Sequence, residues 1–90
     1  MTMTDKLFFT VYYTPQCPFS RESILLLKRV LPNPNEQLKL IDIREKRIDL
    51  IELMHDKKIF NHRTVPAIFQ NDCFIGGHAQ LQAYLRNLLQ

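Results

Sequence analysis

The spacing of apolar residues predicts a strand and a helix in the first third of the chain. Residues 7–13 are dense in aromatic and β-branched side chains, which favours a buried strand. A helix is expected over residues 18–31, because apolar residues recur there at helical spacing and Pro32 and Pro34 follow it. Its inner face is expected to consist of five apolar residues: Ile24, Leu25, Leu26, Leu27 and Leu31.

The middle of the chain predicts a second strand and a second helix. Residues 38–43 form a short apolar run that we interpret as a strand. A helix over residues 47–58 would place Ile48, Ile51 and Met54 on its inner face. Because the first two strands are joined through a helix, they are expected to be parallel, as in other β-α-β units.

The last third of the chain predicts a hairpin and a final helix. Strands over residues 65–69 and 73–75 are separated by the polar turn at residues 70–72, and Gly76 and Gly77 end the second of them. The clearest helical periodicity follows, carried by Leu81, Tyr84, Leu85, Leu88 and Leu89. The order is therefore β-α-β-α-β-β-α, an α/β arrangement in a single domain over residues 1–90.

Composition narrows the classes of function. With 46% hydrophobic and 23% charged residues, the 90-residue chain has the make-up of a small globular domain. The net charge is +3, but basic and acidic residues are interspersed, so we expect no nucleic-acid partner. No apolar run approaches the length of a membrane span, and residues 1–6 lack the basic-then-apolar order of a signal peptide. We therefore expect a cytoplasmic protein without a membrane partner, whose two cysteines are thiols at rest.

Cys17 is the strongest candidate for chemistry. It stands between the first strand and the first helix, with Pro18 at the first helical position. The partial positive charge of a helix N-terminus favours the thiolate, which is the nucleophilic form of cysteine. Ser20 stands where a dithiol motif would carry a second cysteine. Its hydroxyl can satisfy a backbone N–H group at the helix start or donate to the thiolate.

The second cysteine is not expected to pair with the first. Cys73 begins the return strand of the hairpin, and strand length puts it on the order of 20 Å from Pro66, which is expected beside Cys17. A disulfide needs Cα atoms within about 7 Å. Cys73 is therefore expected to pack under the sheet. The cysteines and histidines show no close ligand pair, so no metal is expected.

Three motifs in this order resemble the glutaredoxins of the thioredoxin superfamily. They are Cys17-Pro18-Phe19-Ser20, Arg63-Thr64-Val65-Pro66 and Gly76-Gly77, and the similarity spans nearly the whole chain from Leu7. The resemblance implies a thioredoxin-like (glutaredoxin) fold with a four-stranded mixed sheet. It also implies glutathione as co-substrate, and protein partners that are glutathionylated or contain disulfides.

The resemblance further implies roles for individual positions. Cys17 matches the nucleophile, and Pro66 matches a cis-proline whose preceding residue, Val65, offers its backbone to the cysteine of glutathione. Arg63 and Thr64 match the residues that lead into that turn. The remaining candidate ligand-binding positions are Thr14, Phe19, Gly76, Gly77 and His78.

The chain departs from the family pattern at two charged positions. Thr14 stands where many members carry a lysine that holds a glutathione carboxylate, and residues 78–80 include none of the acidic groups that grip the glutathione amine. His78 could supply a polar contact there. Pro18 resembles the dithiol, catalytic branch, because the iron–sulfur-carrying monothiol branch usually has glycine at this position.

Three hypotheses about function follow. In the first, the protein is a monothiol oxidoreductase that reduces glutathione mixed disulfides through Cys17, with Ser20 supporting the thiolate. In the second, two copies carry an iron–sulfur cluster through Cys17 and bound glutathione, which Pro18 disfavours. In the third, the fold is retained as a non-catalytic adaptor that binds a protein partner. The sequence gives no oligomeric state.

Overall fold

The computed structural model of the chain describes residues 7–60, 62 and 64–88. The first half of the chain forms strand β1 (Phe9–Tyr13), helix α1 (Pro18–Val30), the short helix α2 (Pro34–Gln37) and strand β2 (Leu38–Asp42). The second half forms helix α3 (Ile43–Asp56), strands β3 (Ala67–Gln70) and β4 (Cys73–Gly76), and helix α4 (His78–Leu88). The element order predicted from the sequence is confirmed, with α2 added.

The four strands form one mixed sheet in the order β2-β1-β3-β4. Strand β1 is parallel to its neighbour β2 and antiparallel to its other neighbour β3. Strands β3 and β4 are antiparallel. The parallel pair therefore lies on one side of the sheet and the hairpin on the other. This arrangement brings the end of β1 beside the start of β3, where Tyr12 pairs with Ala67.

Alternation along the strands divides the core between two faces of the sheet, because successive strand side chains point to opposite faces. One face packs against α1 and α4 in a cluster of seven buried residues: Phe9, Val11, Leu27, Leu31, Ile68, Leu81 and Leu85. The other face packs against α3 in a smaller cluster made by Tyr12, Met54, Ala67 and Phe69. The inner face predicted for α4 is confirmed at Leu81 and Leu85, whereas Leu89 lies outside the described residues.

The inner face predicted for α3 was wrong at two of its three residues. Ile48 and Ile51 are 69% and 58% exposed, and Leu50 and Leu53 pack against the sheet together with Met54. The helix carries two apolar stripes that share Met54, so periodicity alone could not decide between them. The helix begins directly after β2, with a kink at Lys46, and this start turns the Leu50–Leu53 stripe inward.

Two other expectations about burial need correction. Leu25 is 61% exposed, and Ser20 and Ser23 are fully buried on the inner face of α1 instead. Cys73 is exposed rather than packed under the sheet. It opens β4, an edge strand of the sheet that the described residues form, directly after the hairpin turn at Asn71 and Asp72.

Pro34 ends no helix but begins the unpredicted α2, where it occupies one of the first two positions. A proline is tolerated there because its missing N–H would have no intrahelical partner. Gln37 at the end of α2 donates from its side-chain amide to the backbone carbonyl of Leu7 at 3.0 Å. This bond fastens α2 to the segment that enters β1.

Candidate active site

Cys17 is the N-cap residue of α1, as the sequence predicted. Its backbone N–H donates to the carbonyl of Thr14 at 3.1 Å, which closes a tight turn after β1. Its own carbonyl accepts the first helical hydrogen bond, from the N–H of Arg21 at 3.2 Å. The side chain is half-buried, so the sulfur lies at the surface of the domain without being fully solvated.

The surroundings of Cys17 favour its thiolate. The pKa of the thiol lies below its ordinary value, chiefly because the backbone N–H of Ser20 stabilises the negative charge. Burial opposes this effect and raises the pKa, whereas the Ser20 hydroxyl, the Phe19 N–H and the positive charge of Arg21 lower it further. The helix N-terminus therefore acts on the sulfur through identifiable donors.

Ser20 serves the thiolate from a buried position. Its Oγ accepts from the backbone N–H of Thr14 at 3.5 Å, and its hydroxyl contributes to the lowered pKa of Cys17. The N–H group that this hydroxyl satisfies belongs to the turn after β1 rather than to the first turn of α1. The side chain is inaccessible to solvent.

Replacing Ser20 with alanine should raise the pKa of Cys17, because the thiolate loses a hydroxyl donor while the backbone donors remain. The rate of alkylation by iodoacetamide follows the thiolate fraction, so its midpoint against pH should move upward. The Ser23→Ala variant is the matched control, since it removes a buried serine from the same helix without touching the sulfur. An unchanged midpoint in Ser20→Ala would contradict the assigned role.

The peptide bond between Val65 and Pro66 is cis, as predicted. It precedes β3, and the β1–β3 register places it beside the turn that carries Cys17. The protonated thiol donates to the carbonyl of Val65 with an Sγ–O distance of 3.6 Å. Behind this turn, Nε2 of His62 lies 3.2 Å from the carbonyl of Pro66. The sulfur of Cys17 therefore faces the cis-proline turn and contacts it at the carbonyl of Val65.

Gly76 and Gly77 differ in whether the backbone angle and the surrounding space would allow a side chain at their position. Gly76 has φ +131°, and a Cβ atom there would lie 2.8 Å from Cγ of Gln80. Gly77 has ordinary space around it, and its N–H donates to Oε1 of Gln80 at 2.9 Å. Its carbonyl accepts from the N–H of Leu81, so Gly77 and Gln80 cap the start of α4. This role of Gln80 was not predicted, although its position three residues after Gly77 is that of the glutamine in a capping box.

His78 contacts α1 rather than open solvent. Its Nδ1 lies 2.7 Å from Oγ of Ser23, and its Nε2 lies 3.5 Å from a carboxylate oxygen of Glu22. Its ring also stands 5.9 Å from that of Phe19, which is 59% exposed. Both ring nitrogens therefore face α1, and the ligand contact expected of His78 would require the ring to give up these partners.

An open groove runs beside Cys17, and we call it the thiol groove. Its lining residues are Thr14, Cys17, Phe19, Ile43, Arg44, Arg47, Thr64 and Val65. Of the predicted site residues, the structure thus brings five together there and places Ser20 and Pro66, both buried, next to them. Gly76, Gly77 and His78 are not part of the lining, and Arg63 lies outside the described residues.

Two arginines of the thiol groove were missed from the sequence. Arg44 and Arg47 lie in the first turns of α3, directly after β2. Since β1 and β2 are parallel, their carboxyl ends meet at one edge of the sheet, and residues that follow both strands share that edge. This topological signal was present in the sequence, because Arg44 follows the second predicted strand as Cys17 follows the first.

The two arginines are held differently. Arg44 donates to both carboxylate oxygens of Asp42, with a shortest distance of 2.6 Å, and these bonds hold the pKa of Asp42 below its ordinary value. Asp42 also caps α3 by accepting from the backbone N–H of Arg44. Arg47 makes no ion pair with any residue that the structure describes, so its charge is free to meet an anion.

Within residues 7–60, 62 and 64–88, no group of three or more His, Cys, Asp or Glu side chains is arranged to hold a metal ion. The same part of the chain contains no helix of the length and hydropathy needed to cross a membrane.

The fold and the site define a protein of the thioredoxin superfamily, with one cysteine at a helix N-terminus facing a cis-proline. A buckwheat glutaredoxin in complex with glutathione matches 93% of this chain and 73% of its own, with a TM-score of 0.70 at 15% identity. Glutaredoxin 1 from Francisella tularensis, complexed with cacodylate, matches 92% of this chain and 96% of its own, with a TM-score of 0.66 at 25% identity.

A dithiolic glutaredoxin from Trypanosoma brucei brucei also matches, over 98% of this chain and 92% of its own, with a TM-score of 0.69 at 25% identity. No family model and no curated protein sequence matches the chain. The similarity is thus carried by structure, and it confirms the resemblance seen in the motifs. The chain has the glutaredoxin form of the thioredoxin fold.

Proposed function

We propose that the protein is a glutathione-dependent thiol-disulfide oxidoreductase that reduces glutathione mixed disulfides through Cys17 alone. The observation that carries the proposal is the Cys17 sulfur, which has a lowered pKa and lies 3.6 Å from the turn of the cis-proline. The structural similarity to glutaredoxins supports a redox function of this general kind.

The proposed reaction is a pair of thiol-disulfide exchanges. In the first exchange, the Cys17 thiolate attacks the glutathione sulfur of a mixed disulfide, the S–S bond of the substrate breaks, and the substrate thiolate leaves and takes a proton from solvent. A disulfide between Cys17 and glutathione results. In the second exchange, the thiolate of another glutathione attacks this disulfide, which forms oxidised glutathione and restores the Cys17 thiolate.

The monothiol form of this cycle is supported by the place of the second cysteine. Gln70 at the far end of β3 pairs both with Phe9 at the start of β1 and with Cys73. Cys17 follows the opposite end of β1, so the length of the sheet separates the two sulfurs. Both cysteines are free. With Ser20 in the motif, resolution of the intermediate falls to glutathione.

Glutathione would be held by groups in and beside the thiol groove. The backbone of Val65 and the side chain of Thr64 would meet its cysteine, and Gly76 and Gly77 would admit its γ-glutamyl end. Thr14 offers a hydroxyl where a lysine is common, and Arg63 is proposed as a further ligand-binding residue because it matches a position that leads into the cis-proline turn. The positive charge of Arg47, which has no ion pair among the described residues, draws anionic glutathione toward the groove, which offsets the lysine that Thr14 replaces.

The physiological partners are proposed to be proteins that carry a glutathione mixed disulfide or an accessible disulfide. A reducing compartment such as the cytoplasm would supply the reduced glutathione for the second exchange and would keep Cys73 as a thiol. In that setting the protein would release glutathione from modified cysteines and restore their thiols.

The test is turnover of the mixed disulfide between glutathione and β-mercaptoethanol, coupled to glutathione reductase and the oxidation of NADPH. The expected rate is proportional to protein concentration and shows ping-pong kinetics, because the two exchanges share a covalent intermediate. A rate no greater than the uncatalysed exchange would overturn the proposal and would leave the adaptor hypothesis as the better account.

A further inference from the structure

A second cavity lies next to the thiol groove, between α3 and the segment that follows it. Its volume is about 360 Å³, and its apolar wall is formed by Leu50, Ile51, Met54, Ile59 and Phe60. We call it the α3 pocket. Pockets of this size and character accept side chains or small apolar groups.

The α3 pocket is continuous with the thiol groove. Ile43, Arg47, Thr64 and Val65 line both of them. A ligand whose disulfide lies at Cys17 can therefore extend past Val65 and Arg47 into the pocket without leaving the surface. A pocket that adjoins the reacting sulfur in this way is placed to bind part of the substrate.

The rim of the α3 pocket carries exposed apolar side chains that do not belong to the hydrophobic core. Ile51 and Phe60 are 58% and 63% exposed, and neither belongs to the buried clusters of the core. Contiguous exposed apolar surface at the edge of a pocket is typical of interaction sites. Phe60 also stacks edge to face on His55, which holds its ring at the rim.

Arg47 is the cation at the junction of the α3 pocket and the thiol groove that has no ion pair with any described residue, whereas Arg44 is paired with Asp42. Among the described residues, the polar side chains of the α3 pocket come from Arg47, His55, His62 and Thr64, and no aspartate or glutamate lines either the pocket or the thiol groove. A ligand that combines an apolar group with a carboxylate complements this surface.

We propose that the α3 pocket binds a segment of the protein substrate in which a large apolar residue and an acidic residue lie close to the modified cysteine. The apolar side chain enters the pocket against Ile51 and Met54, and the carboxylate meets Arg47. The proposal rests on the proposed function for the reaction at Cys17, and it adds selection among protein substrates. The pocket adjoins the cis-proline turn through Thr64 and Val65, and neither Gly76 nor Gly77 lines it.

The test compares two short peptides, each joined to glutathione through its cysteine. One carries leucine and glutamate on both sides of the cysteine, and the other carries serine and glutamine in their places. The native protein should show a kcat/KM about 10-fold higher for the first peptide, the size expected of one well-filled apolar contact. Equal values for the two peptides would overturn the proposal.

Ile51→Gln and Ile48→Gln form the matched pair of variants. Both isoleucines are exposed on α3, but only Ile51 lines the pocket, so both variants should fold normally. The Ile51→Gln variant should lose the preference for the leucine peptide and retain its rate on the β-mercaptoethanol mixed disulfide. The Ile48→Gln variant should keep both. Equal losses in the two variants would contradict a specific pocket.

A binding measurement separates this proposal from the proposed function. The leucine peptide with serine in place of its cysteine cannot react, and its binding is followed by the NMR signals of the Met54 and Ile51 methyl groups. Shifts confined to the α3 pocket support docking even where no turnover is found. Turnover of the small mixed disulfide without any such shift would retain the redox function and overturn the docking site.

Discussion

Replacing Cys17 with serine should abolish turnover of glutathione mixed disulfides. A serine hydroxyl does not ionise at neutral pH, so the variant lacks the nucleophile of both exchanges. The rate should fall at least about a thousand-fold, the order observed when a covalent nucleophile is removed from an enzyme. The glutathione-coupled assay with the β-mercaptoethanol mixed disulfide measures this loss directly.

The fold of Cys17→Ser should survive, which makes the loss interpretable. Cys17 is the N-cap of α1, and serine is among the preferred residues at that position because its oxygen accepts from the first backbone N–H groups of the helix. The melting temperature should therefore be retained or rise slightly. Loss of activity with an intact melting curve would be a chemical effect rather than unfolding.

Cys73→Ser is the control for that experiment. Cys73 is exposed, begins the edge strand β4 and lies beyond the length of β3 from the thiol groove. Its replacement should leave the rate unchanged. Activity that survives in Cys17→Ser and disappears in Cys73→Ser would identify Cys73 as the reactive thiol and would contradict this account.

Replacing Gly76 with alanine should destabilise the protein by about 1–3 kcal/mol, the usual cost of holding a residue other than glycine in a disfavoured backbone region. Gly76 has φ +131°, and the added Cβ would lie 2.8 and 2.9 Å from Cγ and Cβ of Gln80. For a domain of this size, each kcal/mol corresponds to about 4–8 °C in the melting temperature. Thermal unfolding followed by circular dichroism measures the shift.

Gly77→Ala is the matched substitution one residue further along the chain. An added Cβ at Gly77 would find its nearest neighbour at 3.4 Å, and the backbone there does not have a positive φ. Its melting temperature should stay within a few degrees of the native value. Equal losses in the two variants would show that the start of α4 tolerates no side chain, and that the backbone of Gly76 has no special part in it.

The parts of the fold that could be predicted are those in which local pattern and tertiary packing agree. The aromatic and β-branched run of β1 suits only a buried strand, and Leu81 and Leu85 in α4 lie on the single apolar stripe of their helix. In α3 two stripes compete, and the sheet selects Leu50 and Leu53 over Ile48 and Ile51. That selection depends on where β2 ends and how α3 begins relative to the sheet. Hydrophobic periodicity carries no information about this geometry.

The candidate site could be predicted where its chemistry resides in one local motif. Cys17 and Pro18 define a helix N-terminus by sequence, and the cis-proline was correctly expected at Pro66. Arg47 was missed although the parallel pairing of β1 and β2, which brings it to the thiol, was itself predicted from the sequence. The contacts of His78 with α1 depend on the packing of two helices, and no local pattern reveals them.

The most direct test of the central claim is the mass of the protein after incubation with oxidised glutathione. The account predicts a single glutathione adduct, mapped to Cys17 by peptide analysis, absent from Cys17→Ser and removed by reduced glutathione. Such an adduct is the proposed intermediate itself. No adduct on Cys17, or one that reduced glutathione cannot remove, would contradict a monothiol cycle and would show that the thiol groove serves another purpose.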